Sequence, residues 1–178
     1  MIEYRKGNIF RSGADVLVNP VNCSGDSSRG LALNFSKHFP ENGRWLRQIA
    51  CYRRLWPGEL MIWEPPVRML GGPKYIFNIF TKERRQDGTS LVVIVACLEA
   101  ILNSLQPISR RYVGKVESIA IPALGCGSSG LDWCTVRYLM ETLAAPNTRT
   151  PPMRWLVYAP ARGKTNNHVA RQGSIPAL

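Results

Sequence analysis

Two segments of this sequence combine glycines, serines and a preceding apolar run in a pattern suited to holding an anion. The first, VLVNPVNCSGDSSRGLALNF, passes from an apolar stretch through Pro20 into a small polar turn, and then into a helical pattern beginning near Gly30. The second, VESIAIPALGCGSSGLDW, sets Gly125, Gly127 and Gly130 around Ser128 and Ser129 before a helix started near Asp132. Such loops present backbone N–H groups, and at a helix N-terminus the macrodipole adds roughly half a unit of positive charge. Glycine permits positive φ and a close approach of backbone to ligand. Two loops of this kind at the carboxyl ends of strands predict a diphosphate held between them, in the crevice where open α/β sheets bind ligands. Neither loop is GxxxxGK[ST], and no acidic residue follows a strand at the distance a dinucleotide fingerprint requires, so kinase, NTPase and standard dehydrogenase chemistry is excluded. Asn19 and Asn22 stand just before the first loop, and their amides can donate to and accept from sugar hydroxyls, which predicts ribose recognition.

The elements that must position these groups alternate along the chain. Asp15 to Asn19, Glu59 to Trp63, Tyr75 to Phe80, Glu117 to Ile121 and Arg154 to Tyr158 are short apolar, β-branched or aromatic runs and read as strands. Leu31 to His38, Arg44 to Leu55, Ser90 to Leu105 and Cys134 to Ala144 have the length and pattern of helices. Parallel strands need crossover connections, so this alternation predicts an α/β fold, a three-layer α/β/α sandwich about a central mixed sheet. No internal repeat is present. The compositional break after Pro160 divides one domain, residues 1–160, from a basic tail, residues 161–178, expected to be flexible.

The chain of 178 residues carries 23 Lys and Arg against 12 Asp and Glu, a net charge of +11. With 45% hydrophobic residues it has material for a full core, which excludes a disordered or collagen-like chain. Its cations gather in three runs: Arg44, Arg47, Arg53 and Arg54; Lys82, Arg84 and Arg85; and Arg110, Arg111 and Lys115. Such charge raises the expectation of nucleic acid or a phosphate-rich ligand as partner. No apolar run approaches the roughly 20 residues of a membrane span, and the start MIEYRKGNIF has no apolar signal-peptide core, so a cytoplasmic protein without a membrane partner is expected. The five cysteines include no CxxC pair and are odd in number, which points away from zinc and from a disulfide framework. Cys23 and Cys126 abut the two loops, but no general base accompanies either in the local sequence, and they read as packing thiols.

The segments KGNIF, ADVLVNPVNCSGDSSRGLALNFSKHFPEN, YIFNIFTKERR and IAIPALGCGSSGLDW, with VRYLMETL behind the last, resemble a macrodomain over residues 1 to 160. More narrowly they are similar to the branch holding the DNA ADP-ribosyl glycohydrolase antitoxins and the terminal ADP-ribose protein glycohydrolase. The resemblance implies an ADP-ribose cleft in an α/β/α fold, with ADP-ribose as ligand and product and no cofactor or metal. It implies Lys82 as the catalytic lysine and Asn22 as the residue holding the distal ribose. Its ligand-binding positions fall on Asn8 and Ile9 near the adenine, on Asn19 and Cys23, and on Thr81 beside Lys82. The first diphosphate loop spans Gly25 to Gly30, with Arg29 and Leu31; the second spans Gly125, Cys126, Gly127, Ser128, Ser129, Gly130 and Leu131. Asn8 stands where the family usually has an acid, and its amide oxygen can accept from the adenine amine. Ser128 and Ser129 stand where the protein-directed members place an Asp, which favours the DNA-directed pattern. SGDSSRG replaces a more apolar loop ending in KG, and Asp26 would repel a diphosphate unless it turns outward or meets Arg29.

Cleaving the anomeric bond of ADP-ribose passes through an oxocarbenium-like centre, which protonation of the leaving group, water activation or a nucleophile can assist. His38 and His168 are the two histidines, and His38 reads as a surface or packing residue. Lys82 could add as an amine to the opened aldehyde if its pKa fell from about 10.4, or as an ammonium stabilise charge on the departing base. Trp133 reads as a cap on the second loop. The expected activity is removal of ADP-ribose from a nucleic-acid base, most naturally in single-stranded DNA, reversing an ADP-ribosyltransferase toxin. Hydrolysis of protein-linked ADP-ribose or of ADP-ribose 1″-phosphate, and non-catalytic binding of ADP-ribose or nucleic acid, are the alternatives.

Overall fold

The computed structural model describes residues 1–66, 71–111, 116–144 and 153–160. Six strands form one sheet in the order β1-β6-β5-β2-β4-β3, where β1 is Ile2–Arg5, β2 Val16–Asn22, β3 Leu60–Trp63, β4 Tyr75–Lys82, β5 Ser118–Pro122 and β6 Arg154–Tyr158. The pairings are parallel except β3 with β4. Helices α1 (Gly30–His38) and α2 (Pro40–Tyr52) cover one face, and α3 (Leu91–Arg111) and α4 (Trp133–Leu143) the other. This is the three-layer α/β/α arrangement with a mixed sheet that the alternation predicts. The tail, residues 161–178, lies outside the described residues, as does Lys115 of the third basic run. Among the described residues no helix is long and apolar enough to cross a membrane.

The period of two along the central strands sorts side chains between the layers. Val16 and Val18 of β2 join Phe77 and Ile79 of β4, and Ile119 and Ile121 of β5, under α3 and α4. Leu17 packs with Phe35 of α1 and Ile76 of β4, while Val21 meets Leu46 of α2 and Phe80 of β4. Burying a side chain such as Phe77 or Phe80, both without solvent exposure, contributes about 1.5–3 kcal/mol.

Several boundaries differ from the sequence reading. β1 is an additional strand, a short edge segment whose alternation is obscured by Glu3 and Arg5; its ladder depends on β6, far away in sequence. β2 continues past Asn19 and through Pro20 to Asn22. A proline is tolerated there because pairing with β5 involves Val16 and Leu17, so beyond them β2 has a ladder on the β4 side alone. α2 starts at Pro40, whose fixed φ suits the first turn of a helix.

Candidate functional site

The early parting of β2 and β5 makes the site. At their N-terminal ends Asp15 ties the two together, accepting from the Glu117 and Ser118 amides at 2.8 and 3.1 Å and pairing with Lys74 at 2.8 Å. Burial opposes ionisation of this carboxyl, yet the lysine and the amides hold it below the usual carboxylate range. From this clamp the strands diverge toward their carboxyl ends. The chain then leaves β2 toward β4 and leaves β5 toward β6, so the crevice lies at a topological switch point. The resulting cleft has a volume of about 1200 Å³, enough for a ligand of nucleotide size or larger.

Its first wall is the loop after β2. Asn22 is buried and staples this loop: its Oδ1 accepts from Ser24 Oγ at 2.7 Å and the Asp26 amide at 3.1 Å, and its Nδ2 donates to the Asp26 carbonyl at 2.8 Å. One Nδ2 hydrogen remains beyond these bonds for a second acceptor. Asp26 turns to Arg85, at 3.0 Å, rather than to Arg29. Bonds from Ser28, with the Arg85 guanidinium, hold the Asp26 carboxyl below its ordinary range. An anion in the cleft thus faces an ion pair instead of a lone carboxylate. The following helix α1 has Arg29 at its N-cap with no side-chain cap bond. Gly30, Leu31 and Ala32, at the start of α1, border the cleft. The amides of this first turn have no side-chain cap and are of the kind that can donate to an anion.

Lys82 enters from β4. The register with β2 shifts between Val21 and Asn22, which pair with Phe80 and Lys82 and leave Thr81 as the extra residue of a bulge. Thr81 Oγ1 donates to the Val21 carbonyl at 3.3 Å, and both Thr81 and Lys82 line the cleft. Bulges of this kind re-aim side chains at strand ends. Lys82 Nζ reaches across to the second loop, 3.2 Å from Ser128 Oγ and 3.5 Å from Ser129 Oγ. Among the described residues its hydrogen-bond partners are these two hydroxyls.

The second loop is held by its own backbone, through Cys126 N–H to Ala123 O at 3.2 Å, Gly130 N–H to Gly127 O at 3.2 Å and Leu131 N–H to Gly125 O at 3.0 Å. Gly125 has φ +73°, and a Cβ there would lie 2.6 Å from Leu131 Cδ1 and 2.9 Å from Thr89 Cγ2. Gly125, Cys126, Gly127, Ser128 and Ser129 line the cleft. The helix behind, α4, is capped by Asp132, which accepts from the Thr135 amide at 2.8 Å. Trp133 is half-buried against the core and meets Tyr4 of β1 edge-on, with centroids 6.3 Å apart.

Asn8 and Ile9 border the far end of the cleft. The Asn8 oxygen accepts from the Phe10 amide at 3.0 Å, which leaves it one lone pair for a further donor. Five other residues of the sequence reading do not line the cleft. Asn19 faces the opposite layer, three residues below the strand end, where its Nδ2 donates to Asn78 Oδ1 at 2.8 Å; Asn78 in turn exchanges bonds of 2.9 and 3.0 Å with Asn42 of α2. Cys23 borders a neighbouring groove, Gly25 lies against Ala50 of α2, and Gly130 and Leu131 close the second loop from behind. Burial pushes the thiols of Cys23 and Cys126 up to about 11, so both are protonated packing groups at neutral pH. Phe10, His38, Arg85, Ala123 and Tyr158 line the cleft without having been singled out for it. His38 stacks on Phe10 at 3.9 Å, with the rings 4° from parallel, a pairing that no local spacing announces. Arg85 carried a signal as part of a basic run.

A family model described as Macro domain matches residues 18–140. The chain belongs to the Macro domain family, whose fold its six-stranded sheet and four helices reproduce. In sequence it is similar to the DNA ADP-ribosyl glycohydrolase of Mycobacterium tuberculosis, with 32% identity over 166 residues, which make up 92% of this chain and 43% of that protein. The chain thus spans about two fifths of the length of the curated relatives it matches. In structure it is similar to the macrodomain of Thermus aquaticus DarG, with a TM-score of 0.78 and 26% identity, covering 90% of this chain and 99% of that one. The same fold occurs in Thermosipho africanus DarTG in complex with ADP-ribose, at a TM-score of 0.76 and 22% identity, covering 89% of this chain and 41% of that one.

Proposed function

We propose that this protein is an ADP-ribosyl glycohydrolase that binds ADP-ribose between its two glycine loops and releases it from a modified nucleic-acid base, with single-stranded DNA as the carrier. Residues 1–160 form the module that does this, and the modification it removes is the work of an ADP-ribosyltransferase partner. The carrying observation is the placement of Lys82 at the mouth of the cleft, opposite Ser128 and Ser129 and beside Asn22. The names of the relatives above support the choice of bond and carrier.

In this reading the diphosphate lies between the uncapped start of α1 and the amides of the second loop, where backbone donors and the helix dipole offset its charge. The spare Nδ2 hydrogen of Asn22 goes to a hydroxyl of the distal ribose. Lys82 then stands beside the anomeric carbon. As an ammonium it stabilises negative charge on the departing base; as a neutral amine it attacks C1″, the bond from C1″ to the base nitrogen breaks as the base takes a proton, and the resulting lysine glycosylamine opens to an imine that water hydrolyses to ADP-ribose. Ser128 and Ser129 hold Nζ across the cleft, and the Asp26 carboxylate that shares the cleft is tied to Arg85.

The test is to incubate wild type and Lys82→Ala with a single-stranded oligonucleotide carrying ADP-ribose on a base, and to follow release by mass spectrometry. Release by the wild type with at least a hundredfold loss in the variant is expected. No release by a folded wild type overturns the reading for this carrier. Adding cyanoborohydride during turnover separates the two roles of Lys82, since a lysine imine formed with loss of the base is reduced to a stable adduct on that residue, in excess of any adduct formed from added free ADP-ribose.

A further inference from the structure

The wall of the cleft at Lys82 is shared with a second, shallower groove. Cys23 and Ser24 continue β2 beyond Asn22, and Glu83 and Arg84 continue β4 beyond Lys82. The two extensions stay joined by Cys23 N–H to Lys82 O at 3.0 Å and Ser24 N–H to Glu83 O at 3.2 Å. On their far side Arg53, Arg54 and Leu55, just past the end of α2, complete a groove of about 320 Å³. Its lining is cationic, and the lining residue Arg54 is stacked on an aromatic ring. Arg53, Arg54 and Arg84 line it against the carboxylate of Glu83, and Arg53 is shared with Glu59 at 3.0 Å. The Arg54 guanidinium lies 3.9 Å over the ring of Trp56, which is 47% exposed, and Tyr52 nearby is 88% exposed. Arg44 and Arg47, both exposed and three residues apart on α2, extend the positive charge.

We infer that this groove holds the single-stranded chain that flanks the modified base. The inference rests on the reading of Lys82 as the end of the cleft where the scissile bond lies, because a strand attached there leaves the site across the shared wall. Phosphates of that strand meet Arg54 and Arg84, with release of counterions. Its unstacked bases find flat partners in Trp56, with its stacked guanidinium, and in Tyr52; bases in a duplex are already stacked on one another. The first basic run and part of the second, separate in sequence, thus become one surface, and Arg85 of the second run is diverted to Asp26 inside the cleft.

The experiment compares two substrates, an ADP-ribosylated single-stranded oligonucleotide and the ADP-ribosylated mononucleoside with the same base. Arg54→Ala/Arg84→Ala is expected to raise KM for the oligonucleotide about tenfold, with kcat and all mononucleoside kinetics unchanged. The slope of log KM against log salt should fall by about 1.4, at roughly 0.7 for each lost single-strand phosphate contact. Arg54→Lys/Arg84→Lys should recover most of the loss, and Trp56→Ala should raise the same KM about tenfold through lost stacking. An unchanged KM for the oligonucleotide, or an equal loss on the mononucleoside, overturns the assignment. If the wild type cleaves neither substrate, the glycohydrolase reading fails on its own. The groove is then judged by fluorescence anisotropy of an unmodified single-stranded oligonucleotide, and equal affinity for wild type and double alanine variant overturns it.

Discussion

The two glycine loops look alike in sequence and are built differently. The loop after β2 adds side-chain ties to its backbone bond from Gly25 N–H to Asn22 O: Asn22 stitches it to itself, Asp26 is tied to Arg85, and the helix it enters is left without a side-chain cap. The loop after β5 is organised by backbone, with three hydrogen bonds of its own and Gly125 in a conformation and a space closed to other residues; its helix is capped by Asp132. A glycine-rich turn before a helix therefore does not by itself identify an anion site at the helix terminus. Here the first turn of α1 has no side-chain cap, whereas that of α4 already has a carboxylate, so in the proposed function the second loop acts through its own amides and Lys82.

The backbone of the second loop is the more sensitive of the two. Gly125→Ala places a Cβ against Leu131 and Thr89 at positive φ, and should cost about 2–3 kcal/mol in chemical unfolding and abolish ADP-ribose binding by calorimetry. Exchanging the helix caps should separate the two termini. Arg29→Asp supplies α1 with the cap it lacks; it should stabilise the fold by about 0.5–1 kcal/mol and weaken ADP-ribose binding at least tenfold, because the new carboxylate occupies the donors meant for phosphate. Asp132→Ala should do the reverse, lowering stability by about 1 kcal/mol with affinity nearly unchanged. Equal effects of the two on affinity would show that both helix termini face the ligand. The smallest effect is expected where the loops agree. With the thiols of Cys23 and Cys126 raised to about 11, about one in a thousand is ionised at pH 8. Iodoacetamide at that pH should leave both unmodified by peptide mass mapping, with labelling appearing as pH approaches 11, while the exposed Cys51 and Cys134 are the accessible sites.

Most of the scaffold was legible in the order of apolar runs, because a buried parallel strand must be continuously apolar and a helix must repeat near every third or fourth residue. The strand through Tyr75 to Phe80, interrupted by Asn78, and the helix before Ala144 show that pattern. β1 escaped it, being short, charged and dependent on a partner from the other end of the chain. The lining of the cleft was legible where it is backbone: Gly125, Gly127 and the helix start at Gly30 advertise themselves through residue type. Side-chain roles were less legible. Asn19 and Asn22 are near neighbours of the same type, yet one sits in a buried amide chain with Asn78 and Asn42 while the other holds the rim of the cleft. Local sequence has no means of telling them apart.

Composition, alternation and glycine placement suffice for the α/β class, for two anion-suited turns and for a basic molecule, since each depends on the properties of residues close together in the chain. The cleft depends on something else. Asp15 clamps β2 to β5 at one end, the two strands lose their pairing after Leu17, and a bulge at Thr81 swings Lys82 toward serines 46 and 47 residues further on. These are relations between segments distant in sequence, and they come into being when the sheet assembles, because hydrogen-bond register and side-chain direction at a strand end are set by the neighbouring strand.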